Sequence, residues 1–271
     1  MKGQGLIQNR AIVKPASVVM SKGPKPKGPS LPGFTFVKEV TYTCGPYRST
    51  VQEFRHERTG MEFVYLPGGT FQMGGNQYDS EKPIHKVTLS PYLIAKYECT
   101  QAEWQKIMGN NPSKFKGDRR PVEQVSWDDC QQFCQKAGLA LPTEAQWEFA
   151  CRAGSPGLYC FGDSMSQLGE YAWYNQNSGN QTHPVGEKKP NAFGLFDMHG
   201  NVWEWCQDWY GNYESGNAVD PKGPSSGSRR VIRGGCWDYG AGDCHCSYRY
   251  RFVPGYRCIN LGFRCVAGWH A

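Results

Sequence analysis

The sequence predicts an α+β fold, rich in loops, with two main helices set against small mixed or antiparallel sheets. Three observations carry that expectation. Capping signals open only a few short helical segments, all in the first 160 residues. Short alternating runs bounded by Gly and Pro read as strands. The second half of the chain holds no helical period and is studded with aromatics. Of the 271 residues 14% are aromatic and 33 are Gly, a composition of loops pinned by large anchors. No long polar linker divides the chain after its first few tens of residues, so one large domain is expected.

Taken in order, residues 1–33 are expected to form a flexible or docking arm, and residues 34–271 the domain. Ser21 to Gly33 alternates Pro, Gly and Lys, which favours extended chain and removes backbone donors. Strands are expected from Phe34 to Tyr42 and from Met61 to Leu66. Helices should begin at Thr100 with Glu103, Ser126 with Asp129, and Thr143 with Gln146, because each pair can satisfy orphan backbone donors reciprocally. The second helix places Trp127, Cys130, Phe133, Cys134 and Ala137 on one buried face and stops at Gly138; the third ends near Gly154. Short strands are expected again at Arg230–Arg233 and from Leu261 to Val266.

Charge and composition exclude several functions. The net charge of +6 is modest, and Lys14, Lys22, Lys25 and Lys27 of the arm account for much of it, so no nucleic-acid partner is expected. No apolar run approaches the roughly 20 residues of a membrane span, and the start lacks a secretory pattern, so the chain as written is expected in the cytoplasm. Twelve cysteines in a chain of this length fall short of a disulfide-built scaffold. Buried free thiols in a reduced compartment are expected instead, with Cys130, Cys134 and Cys151 as core. His85, His183 and His199 are isolated in sequence from any Ser or Cys with a third orienting group, so no nucleophilic triad is expected and no catalytic residues are assigned.

Several phrases carry a resemblance. They are Leu66-Pro-Gly-Gly-Thr-Phe-Gln-Met-Gly, Tyr97-Glu-Cys-Thr-Gln-Ala-Glu-Trp, Leu141-Pro-Thr-Glu-Ala-Gln-Trp-Glu and Gly194-Leu-Phe-Asp-Met-His-Gly-Asn-Val-Trp-Glu-Trp, followed by Arg233-Gly-Gly, Tyr248-Arg-Tyr-Arg and Asn260-Leu-Gly-Phe-Arg. Together they resemble the formylglycine-generating, or sulfatase-modifying-factor, family across roughly Glu62 to Ala267. The resemblance implies that family's variant of the C-type lectin fold. It also implies a structural calcium ion on the carboxylates of Asp197 and Glu204 and the carbonyls of Gly200 and Val202, all hard oxygen donors. The alternative is that Glu204 pairs with an arginine inside the loop core.

The resemblance implies, for activity, two copper-binding cysteines five positions apart, the second directly before Tyr-Arg-Tyr-Arg. Here Gly242 and Ser247 occupy those positions, so neither copper nor the parent activity is expected. Cys244 and Cys246 flank His245 nearby, but a Cys-X-Cys pair without a second matched pair is a weak metal signal.

The stretch from Cys236 to Ile259 interleaves unlike residues with fixed ones. Cys236, Asp238, Tyr239, Gly240, Asp243, His245, Cys246, Phe252, Val253, Tyr256, Cys258 and Ile259 share no polarity, while Trp237, Arg249, Arg251, Arg257 and Asn260 read as scaffold. From Asp238 to Ile259 none of Lys, Glu, Gln, Met or Trp occurs. This resembles the variable proteins of diversity-generating retroelements, whose C-terminal lectin-like domain is mutagenised at adenines so that asparagine codons become many others but never those five. The resemblance implies a non-catalytic binding protein that meets a protein or other macromolecular ligand through 236–259, Trp237 included. The alternatives are an oxidoreductase acting on a protein cysteine and an inactive structural homologue.

Overall fold

The computed structural model describes residues 19–20 and 30–268. In chain order the first strands are β1 (Val19–Met20), β2 (Ser30–Leu31), β3 (Phe34–Cys44), β4 (Tyr47–His56), β5 (Glu62–Leu66), β6 (Gly69–Met73), β7 (His85–Leu89) and β8 (Tyr92–Ala95). Helices α1 (Gln101–Met108), α2 (Trp127–Ala137), α3 (Glu144–Arg152) and the single turn α4 (Leu168–Tyr171) follow. The chain closes on β9 (Trp203–Trp209), β10 (Ala218–Val219), β11 (Arg230–Arg233), β12 (Arg249–Phe252), β13 (Leu261–Gly262) and β14 (Val266–Gly268).

The helices begin where the capping chemistry places them. Thr100, Ser126 and Thr143 each accept from the backbone of the third helical residue, whose side chain returns the bond to the cap. Gly109 and Gly138 close α1 and α2 in the left-handed region, and Ala153 does the same for α3. Trp127 is only half-buried, since its indole N–H bonds the Cys206 carbonyl at the rim while Arg230 lies over its ring.

Among the described residues, three sheets frame the core. Six strands run in the order β14-β8-β5-β4-β3-β2, around the long β3–β4 hairpin. Four run β1-β6-β7-β10, and four run β12-β11-β9-β13, the last sheet mixing antiparallel pairs with the parallel β9–β13 pair. Sequence patterning missed β4, β6, β7 and β8 as well as β9 and β12: β9 is buried on both faces over most of its length, so it shows no alternation, and β12 is a short run of alternating Arg and aromatic residues. The single turn α4 is too short to leave a period. Of the arm, β1 pairs with β6 and β2 with β3; the rest of residues 1–29 lies outside the described residues.

Between the six-stranded sheet and helices α1 and α2, Trp104 stacks on Phe133 and both meet Phe263 edge-on at 5.9 and 5.3 Å. A second core gathers Trp147, Phe149, Phe71 and Phe193 around α3. Charged pairs inside these cores tie the loops of the second half to α3. Arg249 grips both Glu144 oxygens at 2.7 and 2.6 Å, and Arg233 pairs with Glu148 and Glu144. Burial works against the Glu148 charge, but Arg152 and Arg233 outweigh it and hold the carboxyl below its ordinary range. Removing one partner of such a pair strands a buried charge, at about 3–5 kcal/mol.

Candidate functional site

The segment that follows β11 folds as a series of anchors with exposed residues between them. Gly234 and Gly235, at φ 100° and 75°, turn the chain so that Cys236 and Trp237 enter the core. The Trp237 amide bonds the Asn201 carbonyl at 2.9 Å, its indole N–H reaches the Ile259 carbonyl at 3.3 Å, and Phe115 meets its ring edge-on. Asp238 then accepts from the Asn260 side chain at 3.0 Å, and the Tyr239 ring rests edge-on against Trp203 at 5.4 Å.

Residues 244–247 form the second anchor. The His245 ring nitrogens face the Gly242 carbonyl and, at 2.7 Å, the buried Glu81 carboxylate; the Ser247 hydroxyl donates to the other Glu81 oxygen at 3.1 Å. The loop is clamped so tightly on Gly75 that a Cβ there would lie 2.3 Å from the Glu81 carboxylate and 2.4 Å from Ser247 Oγ. Arg249, held by Glu144, is the third anchor.

Between and beyond the anchors an aromatic surface is displayed. Tyr239 is 36% exposed, Tyr250 42%, Val253 49% and Tyr256 37%. Phe252 stacks on Tyr256 at 4.2 Å and meets Tyr250 edge-on at 5.5 Å, while Arg257 forks onto Asp129 at 2.8 and 2.9 Å beside them. Burial, then Cys236, Asp238 and Tyr250, push the Tyr239 phenol above its ordinary range.

The placement corrects part of the sequence expectation. Cys236, Trp237, His245 and Cys246 are buried, because the aromatic anchor, the Glu81 pair and the thiol packing draw them inward. Asp238, Tyr239, Val253 and Tyr256 are exposed, and Gly240, Asp243, Phe252, Cys258 and Ile259 lie half-covered between them. Tyr250 joins the surface although its motif reads as scaffold; the alternation along Tyr248-Arg-Tyr-Arg is the signal that would have found it, since a strand turns successive side chains to opposite faces. Exposed Tyr78, stacked on His245 and edge-on to Tyr248, borders the surface from a distant loop that no sequence pattern links to it.

Gly242 and Ser247 do not make a dithiolate site: Ser247 Oγ is bonded to Glu81, and Gly242 offers only a carbonyl. Cys244 and Cys246 do not converge either. Cys246 Sγ lies 3.6 Å from Cys151 Sγ, whereas Cys244 packs against Gly235. His199, which sequence leaves isolated, is brought beside Cys151 and Cys246. Its Nδ1 faces the Cys244 carbonyl at 2.8 Å, and its Nε2 accepts the Cys160 amide at 3.2 Å. Burial first of all takes its pKa down to about 4, so the ring is neutral near pH 7.

The calcium ligands also need correction. Glu204 is not a free donor, since Arg264 grips both of its oxygens at 2.6 Å and the Trp147 indole donates to one at 2.8 Å. Asp197 differs. One oxygen accepts the Gly186 amide at 2.8 Å and the other is buried without a hydrogen-bond partner. Burial lifts its pKa to about 6, with nearby Glu204 and Glu187 adding to the rise. Burial, then Asp197 and Glu204, likewise push buried Glu98 well above the carboxylate range. Asp197, Glu98 and Glu204 thus share one arginine, Arg264, among three carboxyls. This surplus and the unpartnered oxygen fit a hard cation at Asp197.

The sulfatase-modifying factor enzyme 1-like domain profile matches residues 48–268. The chain belongs to that family. The formylglycine-generating enzyme of Mus musculus is 37% identical over 283 residues, covering 76% of this chain and 75% of that protein. Among solved structures, Treponema denticola variable protein 1 superposes with a TM-score of 0.72 at 34% identity, covering 84% of this chain and 98% of that one. PvdO from Pseudomonas aeruginosa gives 0.69 at 28% identity, covering 79% and 97%. The fold is therefore the family's variant of the C-type lectin fold, as the motifs imply. Among the described residues no helix is long and apolar enough to cross a membrane.

Proposed function

We propose that this family member is a non-catalytic binding protein that displays a changeable C-terminal surface, as a retroelement variable protein does. The observation that carries the reading is the division within 236–259: buried anchors hold the segment at Trp237, His245 and Arg249, while Tyr239 between the first two, and Tyr250, Val253 and Tyr256 beyond the third, face outward. Side chains so placed can change without disturbing the core. Tyrosines supply large contact area at small entropic cost, which suits them to meeting a macromolecular partner. The likeness to a variable protein at 34% identity supports the reading, as does the absence of Lys, Glu, Gln, Met and Trp from Asp238 to Ile259.

The DNA beside the gene tests it. The reading expects a near-copy of the stretch that encodes the C-terminal segment next to a reverse transcriptase gene, with differences concentrated at adenines. Flanking DNA with neither contradicts it.

Calcium is part of the same proposal, as a structural ion held by the free Asp197 oxygen and the Gly200 and Val202 carbonyls, with Glu204 acting through its charge. Bound there, the ion neutralises surplus carboxylate charge beneath β9 and stabilises the folded state by mass action.

A further inference from the structure

Four thiols and an imidazole meet in the core behind the displayed surface, and the proposed function uses none of them. Cys44 ends β3, Cys151 lies in α3, Cys160 follows in the next loop, and Cys246 belongs to the clamped 244–247 segment; all are buried. Cys44 and Cys160 bring their sulfurs to 3.3 Å, and Cys151 and Cys246 to 3.6 Å. His199 sits between the two pairs, bonded to the Cys160 amide and 3.9 and 4.0 Å from Cys151 Sγ through its two ring nitrogens.

The geometry separates two uses of such a cluster. A metal held by Cys151, Cys246 and His199 needs a ring nitrogen with its lone pair aimed at the site. Both nitrogens are instead engaged by backbone groups, and the sulfur is nearly equidistant from them, which no in-plane lone-pair direction produces. The thiol pairs have no such obstacle. Their sulfurs, at 3.3 and 3.6 Å, need to close by about 1.3 and about 1.6 Å to reach a disulfide bond length.

We infer that this cluster is a site of oxidative modification, at which Cys151 joins Cys246 and Cys44 joins Cys160 as disulfides. The first bond ties the base of the display segment to α3, across 95 positions of sequence; the second ties the β3–β4 hairpin to the loop after α3, across 116. The oxidant is a low-molecular-weight disulfide such as oxidised glutathione. A protein thiolate attacks it and releases one glutathione thiol, and the partner cysteine then displaces the second. Each protein disulfide therefore costs one oxidant disulfide, which takes up the two electrons and two protons that the thiols give up. Burial pushes the Cys151 and Cys160 thiols well up, while the Cys160 contact holds Cys44 below its ordinary range; all four sulfurs are enclosed, so a glutathione disulfide reaches them during folding or local opening.

Peptide mapping without reduction, on full-length protein refolded in oxidised glutathione and alkylated, tests the inference. The expected result is two linked peptides, Cys151 with Cys246 and Cys44 with Cys160, each two hydrogens lighter than its separate parts. The melting temperature should rise by on the order of 10 °C, reversed by dithiothreitol, because links across such long separations restrict the unfolded chain. Cys246→Ser should remove the first link and leave the second. The wild-type map decides the matter if that variant does not fold. All four cysteines remaining open to alkylation after refolding, or pairing with cysteines outside the cluster, would overturn it.

Discussion

Ser247 shows how one atom decides a chemistry. Its hydroxyl donates to Glu81 where the enzyme family needs a thiolate, and Gly242 has no side chain at all. The purified protein, with or without copper, should leave a cysteine-containing sulfatase-type peptide unconverted by mass spectrometry. A copper-dependent mass change lost in Cys246→Ser would show that another thiol had taken over. Asp197 supplies a second residue-scale prediction. Calcium should raise the melting temperature by several degrees at pH 7.5, and Asp197→Ala should abolish the rise. The folded-state pKa near 6 lies above the ordinary carboxyl value, so folding takes up a proton between the two. Without calcium this group therefore adds stability as the pH falls through 6. Calcium needs the ionised carboxylate, so its effect should fade over the same range. Glu204→Ala is expected to behave differently: it strands Arg264 and should cost about 3–5 kcal/mol whether or not calcium is present. A loss seen only with calcium would restore Glu204 as a ligand.

At the scale of elements, the three capped helices and the strands β3, β5, β11 and β13 were legible, while several other strands were not. A Ser or Thr cap with an acid or amide three residues on is a local signal, and all three boxes form where Thr100, Ser126 and Thr143 stand. The strand β9 hides because Trp203, Trp205 and their neighbours are buried on both faces, leaving no alternation to read. The display segment was legible as a segment, through its mixed composition, but not residue by residue. Nothing near His245 in sequence announces Glu81, and nothing near Cys246 announces Cys151, yet those distant partners bury both. The anchors carry a prediction of their own. Trp237→Ala removes a ring packed beneath the segment and should cost about 3–5 kcal/mol in a denaturant titration. A cost below about 1 kcal/mol would mean that the segment is held by its other contacts.

Across the whole molecule, the core and the proposed binding surface are built from different side chains. The core depends on aromatic anchors and buried ion pairs that draw the second half of the chain onto α3 and the sheets, and the displayed residues stand outside those ion pairs, with Tyr239 alone among them touching the Trp203 ring from its edge. The central claim is that the displayed residues can be exchanged while the fold persists. Its most direct measurement is a thermal melt of a variant carrying Ser at Tyr239, Tyr250, Val253 and Tyr256 together, compared with the parent at matched calcium. Exposed substitutions away from caps and cores change stability by within about half a kcal/mol each, so the account predicts a cooperative transition within several degrees of the parent. A variant that no longer folds would show that these side chains belong to the core, and would contradict the account.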